Sequence, residues 1–383
     1  MILLDKTKVI DIAELSNKIK NICSNGKKNL VFYSPWSLPM YGTVLEEKPL
    51  GGTETMVLHL ANGLSKDYNV LIVGDCPKQE IYNGVIFIDK SFSGILQEIE
   101  VDIAIQYKII PYPILTEFKE KINPKKFIAW VHDYPMYSDF DASFMASALL
   151  FDKIVCVSKD HISALLARYP LCIEEEKLCH IIHGVNTELF SEREKIKKVK
   201  NQFYYSSTPF RGLEILVEVF PLIREQVPDA TLKVCSGLEV YNKLNDTEYS
   251  ELYKICKKVS GIDYVGNVVQ KDLAKIAMES ELMLFPSIFA ETCGIVVLES
   301  QTAGTPIVCN DLGALKETVH SGCGVMLKGN PYRKEWQDRF VSAVVDICNN
   351  KDKLEKMHKT CLEQDFSLET FVENWKKILK EVD

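Results

Sequence analysis

No C-x-x-C pair occurs among the 12 cysteines, which removes the commonest metal-knuckle and thioredoxin-type patterns. Several cysteines sit inside apolar runs instead: Cys156 in Ile154 to Val157, Cys235 after Leu232-Lys233-Val234, Cys309 after Pro306-Ile307-Val308. Such residues behave as small buried hydrophobes, and without a secretion signal they point to reduced thiols rather than a disulfide framework. No apolar run reaches the ~18–20 residues that span a bilayer. Met1 to Lys8 has a short apolar start interrupted by Asp5, unlike a signal peptide. The expected location is therefore cytoplasmic. An excess of positive charge is also missing: 45 Lys and Arg face 53 Asp and Glu, for a net charge of -8. General affinity for nucleic acid is excluded as an expectation, and no nucleic-acid partner is assigned. Short-period repeats and low-complexity tracts are absent. One sequon, Asn245-Asp246-Thr247, changes nothing, because short motifs recur by chance.

What is present is a long alternation of short apolar runs with amphipathic stretches. Over 383 residues, more than one core normally fills, two domains are expected. In the first half, strands are predicted at 30–33, 69–74, 85–88, 103–106, 127–131, 154–157 and 178–182. A helix is predicted at 53–64, where Met56, Val57, Leu60 and Leu64 recur at helical spacing, and another runs through Leu165. The pattern restarts after the charged segment 191–200. Strands are predicted there at 203–205, 231–235, 264–265, 282–285, 307–309 and 324–327, with helices at 213–225 (kinked at Pro221), 251–258, 271–278 and 295–302. Alternation of this kind implies an α/β chain with parallel sheets covered on both faces. Two such series suggest two doubly wound, Rossmann-like domains facing each other across a cleft, with ligands beyond the carboxyl ends of the strands. The expected boundaries are 1–190, 191–362 and a final segment 363–383, whose helix around Trp375 crosses back to the first domain. Near the N-terminus Ile12, Leu15, Ile19 and Ile22 form one apolar stripe, read as a helix packed on the domain edge. Because the stripe is short and has no Trp or Phe, membrane contact is the less favoured reading of it, and peripheral contact stays open; no transmembrane segment is expected.

The most informative stretch is 287–305, SIFAETCGIVVLESQTAGT. A strand ends at Pro286, a loop carries Glu291, Thr292, Cys293 and Gly294, and an apolar helix starts at Ile295. Free N–H groups at a helix start attract anions, and Gly294 lets a ligand approach the backbone. A diphosphate could sit there without a metal. Glu291 and Glu299 are eight positions apart, or ~12 Å along a wholly helical path at ~1.5 Å per residue. That suits one carboxylate at a sugar and one at a ribose, since carboxylates accept paired hydrogen bonds from vicinal hydroxyls.

E-x7-E after a strand, followed by Ala303-Gly304-Thr305-Pro306-Ile307-Val308, resembles the signature of retaining glycosyltransferases of the GT-B fold, in particular glycosyltransferase family 4 (glycosyltransferase group 1). Gly313-Ala314-Leu315-x-Glu317 downstream and Tyr264-Val265-Gly266-Asn267 upstream are similar to the family as well. The resemblance covers about residues 28–380 and implies a nucleotide-sugar donor, UDP- or GDP-linked first, and a glycan, lipid or small-molecule acceptor. It implies no cofactor and no metal. Donor-binding residues by this resemblance are Gly52, Ser207, Arg211, Val265, Glu291, Thr292, Gly294, Ile295 and Glu299; catalytic ones are His132, Glu291 and Arg211. Gly51-Gly52 opens a helix where the family has a glycine-rich loop, although Gly-Gly alone is more often a turn. His132 ends a strand, and a lone histidine is more often structural. Ser206 to Glu214 departs from the family: Arg211-Gly212 matches its second phosphate-binding cation, but the first is missing, with Tyr205 six positions earlier. His183-Gly184-Val185-Asn186 resembles the family's N-G-V-D segment with two substitutions.

Rival readings are weaker. Asp139-Phe140-Asp141 is a D-x-D, which metal-dependent transferases of another fold use, but it follows no donor-binding strand. Gly51-Gly52 is no G-x-G-x-x-G, so a nicotinamide dehydrogenase resting on Asp75 is poorly supported. His180 and His183 have no third ligand pattern beside them. A non-catalytic nucleotide- or carbohydrate-binding protein of the same fold stands as the alternative, supported by the missing cation. The aromatic loop 33–41 and Tyr134 and Tyr137 suit either acceptor stacking or ordinary packing.

Overall fold

The computed structural model describes residues 2–4, 12–135, 141–241 and 247–382. Tyr137, Asp139 and Phe140, the side chain of Asp141, and Asn245-Asp246 of the sequon lie outside the described residues. The chain divides into two compact units: Met1–Val44, Gly51–Ile182 and Leu368–Asp383 form the first, Leu45–Leu50 and His183–Ser367 the second.

In the first unit the strands are β1 (Ile2–Leu4), β2 (Asn29–Tyr33), β3 (Asn69–Gly74), β4 (Gln79–Tyr82), β5 (Val85–Asp89), β6 (Ile103–Gln106), β7 (Lys126–Trp130), β8 (Lys153–Cys156) and β9 (Leu178–His180). They form one sheet in the order β1-β4-β5-β3-β2-β6-β7-β8-β9. Pairing is parallel from β5 to β9, while β4 runs antiparallel to both β1 and β5. Every residue of β2 and β3 is buried, the mark of a sheet covered on both faces. The covering helices are α1 (Ile12–Cys23), α3 (Gly52–Leu64), α4 (Tyr112–Ile122), α5 (Asp141–Ala148) and α6 (Lys159–Arg168), after the short α2 (Val44–Glu47) at the division of the units. Leu15 and Ile19 of α1 join the core, and Ile22 packs against it, so these three residues of the N-terminal stripe form a core face.

The second unit holds β10 (Gln202–Ser206), β11 (Thr231–Cys235), β12 (Ile262–Tyr264), β13 (Leu282–Phe285), β14 (Ile307–Asn310) and β15 (Gly324–Leu327). All are parallel, in the order β12-β11-β10-β13-β14-β15. Counted along this unit that order is 3-2-1-4-5-6, the doubly wound pattern with its switch point between the first and fourth strands. Its helices are α7 (Leu213–Gln226), α8 (Ser250–Lys258), α9 (Gln270–Glu279), α10 (Ile295–Thr302), α11 (Leu315–Thr318), α12 (Lys334–Asn349) and α13 (Lys351–Leu362). Helix α7 continues through Pro221. The predicted strand 264–265 lies at 262–264 instead, because Gly261, at φ +85°, turns the chain into it earlier. Val265 is therefore the first residue beyond the strand.

The last helix, α14 (Leu368–Glu381), belongs to the first unit. It lies so close to α3 that a Cβ on Gly63 would meet Val372 Cγ2 at 2.4 Å. Trp375 is fully buried, edge-on to Trp130 at 4.8 Å between ring centroids.

Candidate functional site

The switch point of the second sheet lies between β10 and β13, and the loops leaving these two strands carry most of the expected residues. β10 ends in Tyr205-Ser206, Ser207-Thr208 leads into a single turn, Pro209–Arg211, and Gly212 caps α7 with φ +97°. After β13, Pro286 begins the loop that ends at Gly294, whose φ of +75° starts α10. This loop is tied down at several points. Ser287 Oγ donates to the Phe289 carbonyl at 2.8 Å, and Asn310 Nδ2 to the Ser287 carbonyl at 3.1 Å. Ala314 N–H donates to the Glu291 carbonyl at 2.8 Å, and Glu291 bridges Gly313 in parallel register. The Gly313-Ala314 element of the sequence motif thus fixes the backbone of Glu291.

Arg211 and Glu291 meet directly. Arg211 Nε lies 2.9 Å from Glu291 Oε1, an ion pair rather than a well-aligned hydrogen bond. Arg211 Nη1 also donates to Thr208 Oγ1 at 3.2 Å, and the guanidinium bonds to Tyr241. Burial works against the arginine charge, but Glu291, Tyr241 and Tyr205 outweigh it and leave its pKa raised. For Glu291 burial pushes the pKa up, and Arg211 only partly offsets it. Two rings complete the environment: the guanidinium carbon lies 5.2 Å from the centroid of Phe210 and 4.7 Å from that of Phe289.

Tyr205, at the position of the missing cation, is fully buried and its hydroxyl donates to the Thr208 carbonyl at 2.9 Å. It supports the loop from within and offers no group to a ligand. Ser207, half-buried, interacts with the same tyrosine. Thr292, two residues before Gly294, and Ile295, directly after it, are half-buried. The first N–H groups of α10 have no acceptor inside the helix. Glu299, about one turn on, lines a small pocket with Tyr204, Ser206, Gln270 and Val296. Burial pushes its pKa up to about 7, with no cation to oppose it. Val265 stands apart, half-exposed beyond β12 with its N–H given to the Val234 carbonyl at 2.9 Å.

Gly52 and His132 belong to the first unit. Gly52 is the exposed first residue of α3. His132 is buried two residues past β7, with its ring 4.5 Å from that of Trp130. Among the described residues no group of three His, Cys, Asp or Glu side chains converges to hold a metal ion, and no helix is long and apolar enough to cross a membrane. The sequence reading missed Thr208, Phe210, Tyr241, Gln270 and Phe289. Phe210 directly precedes the cation and Phe289 stands two residues before the acid, so aromatic neighbours of the two motifs were the available signal.

Residues 203–350 match the family glycosyl transferases group 1. The chain resembles that family. A D-inositol 3-phosphate glycosyltransferase of Pseudarthrobacter chlorophenolicus is 27% identical over 146 residues, which is 37% of this chain and 33% of the relative. A GDP-mannose-dependent alpha-(1-6)-phosphatidylinositol monomannoside mannosyltransferase of Mycobacterium tuberculosis is 26% identical over 155 residues, 38% of this chain and 37% of the relative. The matched stretch thus spans about a third of these relatives' own length. At the level of fold, the Anabaena HepE protein, solved with UDP and glucose, superposes with a TM-score of 0.69 at 13% identity, covering 92% of this chain and 100% of that one. The architecture is that of the GT-B fold, two Rossmann-like units of parallel sheet covered by helices.

Proposed function

We propose that this chain is a retaining glycosyltransferase that moves a hexose-type sugar from a UDP- or GDP-sugar to a hydroxyl of a glycan, lipid or small-molecule acceptor, without a metal. The observation that carries this reading is the convergence of Arg211, Glu291 and the Gly294-led start of α10 at the switch point of a doubly wound sheet. The resemblance to group 1 glycosyltransferases and to a UDP-binding fold relative supports it. Breaking the donor's glycosidic bond builds charge on the leaving diphosphate. Arg211 and the first amides of α10 stabilise that charge from fixed positions. Glu291, released from Arg211, accepts hydrogen bonds from sugar hydroxyls, and Glu299 from the ribose. The acceptor hydroxyl attacks the front face, and the departing phosphate takes its proton. The parts of His132 at the sugar and Gly52 near the phosphates rest on the resemblance alone.

A second reading has one observation in its favour. The first phosphate cation is replaced by a buried tyrosine, so charge at the diphosphate is halved, as in a protein that binds a nucleotide without turning it over. A thermal-shift screen with UDP, GDP, ADP, dTDP and their sugar conjugates, with and without chelator, tests both. A ligand at about a hundred times its Kd stabilises by ~2.7 kcal/mol. A selective, chelator-insensitive shift accompanied by sugar transfer supports the transferase. A shift with neither transfer nor donor hydrolysis supports the binding protein, and a shift abolished by chelator refutes the metal-free site.

A further inference from the structure

The geometry points to Phe289 and Phe210 as positioning residues that hold Arg211 for a diphosphate, in a loop that lacks the first phosphate-binding cation. This rests on the transferase reading above. The two rings come from different loops, Phe210 from the one after β10 and Phe289 from the one after β13, and meet in a T-shape with centroids 5.7 Å apart. The guanidinium lies over both, at 5.2 and 4.7 Å. Each ring is half-buried and the arginine side chain is 20% exposed, so the contact is largely removed from water, where cation–π attraction is strongest.

The reason such a hold is needed follows from the partner that must leave. In the free protein Glu291 supplies the main attraction on Arg211. Glu291 is also the group that would turn to the sugar. Once it does, its charge no longer anchors the guanidinium. Thr208, Tyr241 and the two ring faces are what remains. A face contact leaves the in-plane N–H donors of arginine available, and those are the donors that match phosphate oxygens. The rings therefore keep the guanidinium in place without using the hydrogen bonds a diphosphate needs. Binding the donor exchanges one carboxylate for phosphate oxygens around an arginine that does not move far.

The test compares Phe289→Leu, which keeps an apolar side chain without a ring face, with Phe289→Tyr, which keeps the face. Affinities are measured for UDP and GDP, for their nucleosides, and for inorganic pyrophosphate, while the Arg211 Nε–H signal is followed by NMR. Expected is about a tenfold loss of diphosphate affinity in Phe289→Leu, with nucleoside affinity unchanged, recovery to near wild type in Phe289→Tyr, and an Arg211 signal displaced by ring currents that relaxes in the leucine variant. Unchanged diphosphate affinity in Phe289→Leu overturns the proposal. So does an equal loss of nucleoside and diphosphate that tyrosine fails to rescue. A wild-type protein that binds pyrophosphate through a ring-shifted Arg211 but no nucleoside diphosphate overturns the transferase reading and leaves the clamp standing.

Discussion

Gly212 faces Pro286 so closely that a Cβ built on the glycine would lie 2.1 Å from the proline carbonyl oxygen. The obstacle is backbone, and φ at Gly212 is +97°, a region that costs an L-residue ~1–2 kcal/mol even in open space. Gly212→Ala must therefore shift one loop against the other. The expected result is a loss of about 2 kcal/mol or more in urea unfolding, with loosened nucleotide binding. Wild-type stability in that variant would show that the two loops are not locked together here.

Glu299 gives a pH dependence of definite sign. Its carboxyl is held up at about 7 by burial, above its unfolded value, so the folded state keeps a proton that the unfolded chain has lost. Stability falls as pH rises from about 4.5 to 7 and is level beyond. Glu299→Gln removes this penalty, so it should stabilise the ligand-free protein at pH 8 by on the order of 1–3 kcal/mol relative to its effect at pH 4. Nucleotide affinity should move oppositely in the wild type, rising between pH 6 and 8 as the carboxylate that accepts ribose hydroxyls becomes ionised. Calorimetric titration in buffers of different ionisation heat would detect the proton released; a pH-independent affinity would remove Glu299 from the ribose.

Lys198 provides the reverse case. It is half-buried at the amino-terminal edge of the second sheet, donating to the Ala303 carbonyl at 3.2 Å and to Thr305 Oγ1. Burial lowers its pKa to about 7, against opposition from Cys361 and Glu281. Between pH 7 and 10 the unfolded chain binds the extra proton, so this residue makes stability rise with pH across that window. Relative to Lys198→Met, the wild type should gain about 1 kcal/mol per pH unit between pH 7 and 9. Parallel stability curves for the two proteins would mean that the ammonium is hydrated in the fold.

Much of this organisation was legible in the chain because the two periodicities differ. The buried strands Asn69–Gly74 and Leu282–Phe285, the half-exposed strand Gly324–Leu327 and the helix Ile295–Thr302 lie where short apolar runs and helical spacing place them. β4 was not legible, since Gln79-Glu80-Ile81-Tyr82 has no apolar run and pairs antiparallel with both β1 and β5. Trp336, Phe340, Val344 and Ile347 do recur at helical spacing in α12 and are buried, a signal present but overlooked. At the candidate site the motif residues were readable one by one. What no spacing reveals is that Arg211 and Glu291, 80 positions apart, neutralise each other, because that contact depends on which strands are neighbours at the switch point.

The last helix carries a stability prediction independent of the chemistry. Trp375 is fully buried, with Trp130 edge-on at 4.8 Å, and Lys376 one residue later reaches Asp67 at 2.8 Å. The ion pair is largely solvated and contributes little, ~0–1 kcal/mol. The indole is different, because removing it leaves a cavity that the Trp130 ring and α3 would have to collapse into. At Gly63 α3 is already so close that a built Cβ would lie 2.4 Å from Val372 Cγ2, so little further approach is available. Trp375→Ala should therefore cost about 3–5 kcal/mol, whereas Lys376→Ala should cost less than about 1 kcal/mol. Urea unfolding followed by tryptophan fluorescence separates them. Near-equal effects of the two substitutions would show that α14 is held by its surface charges and not by its buried face.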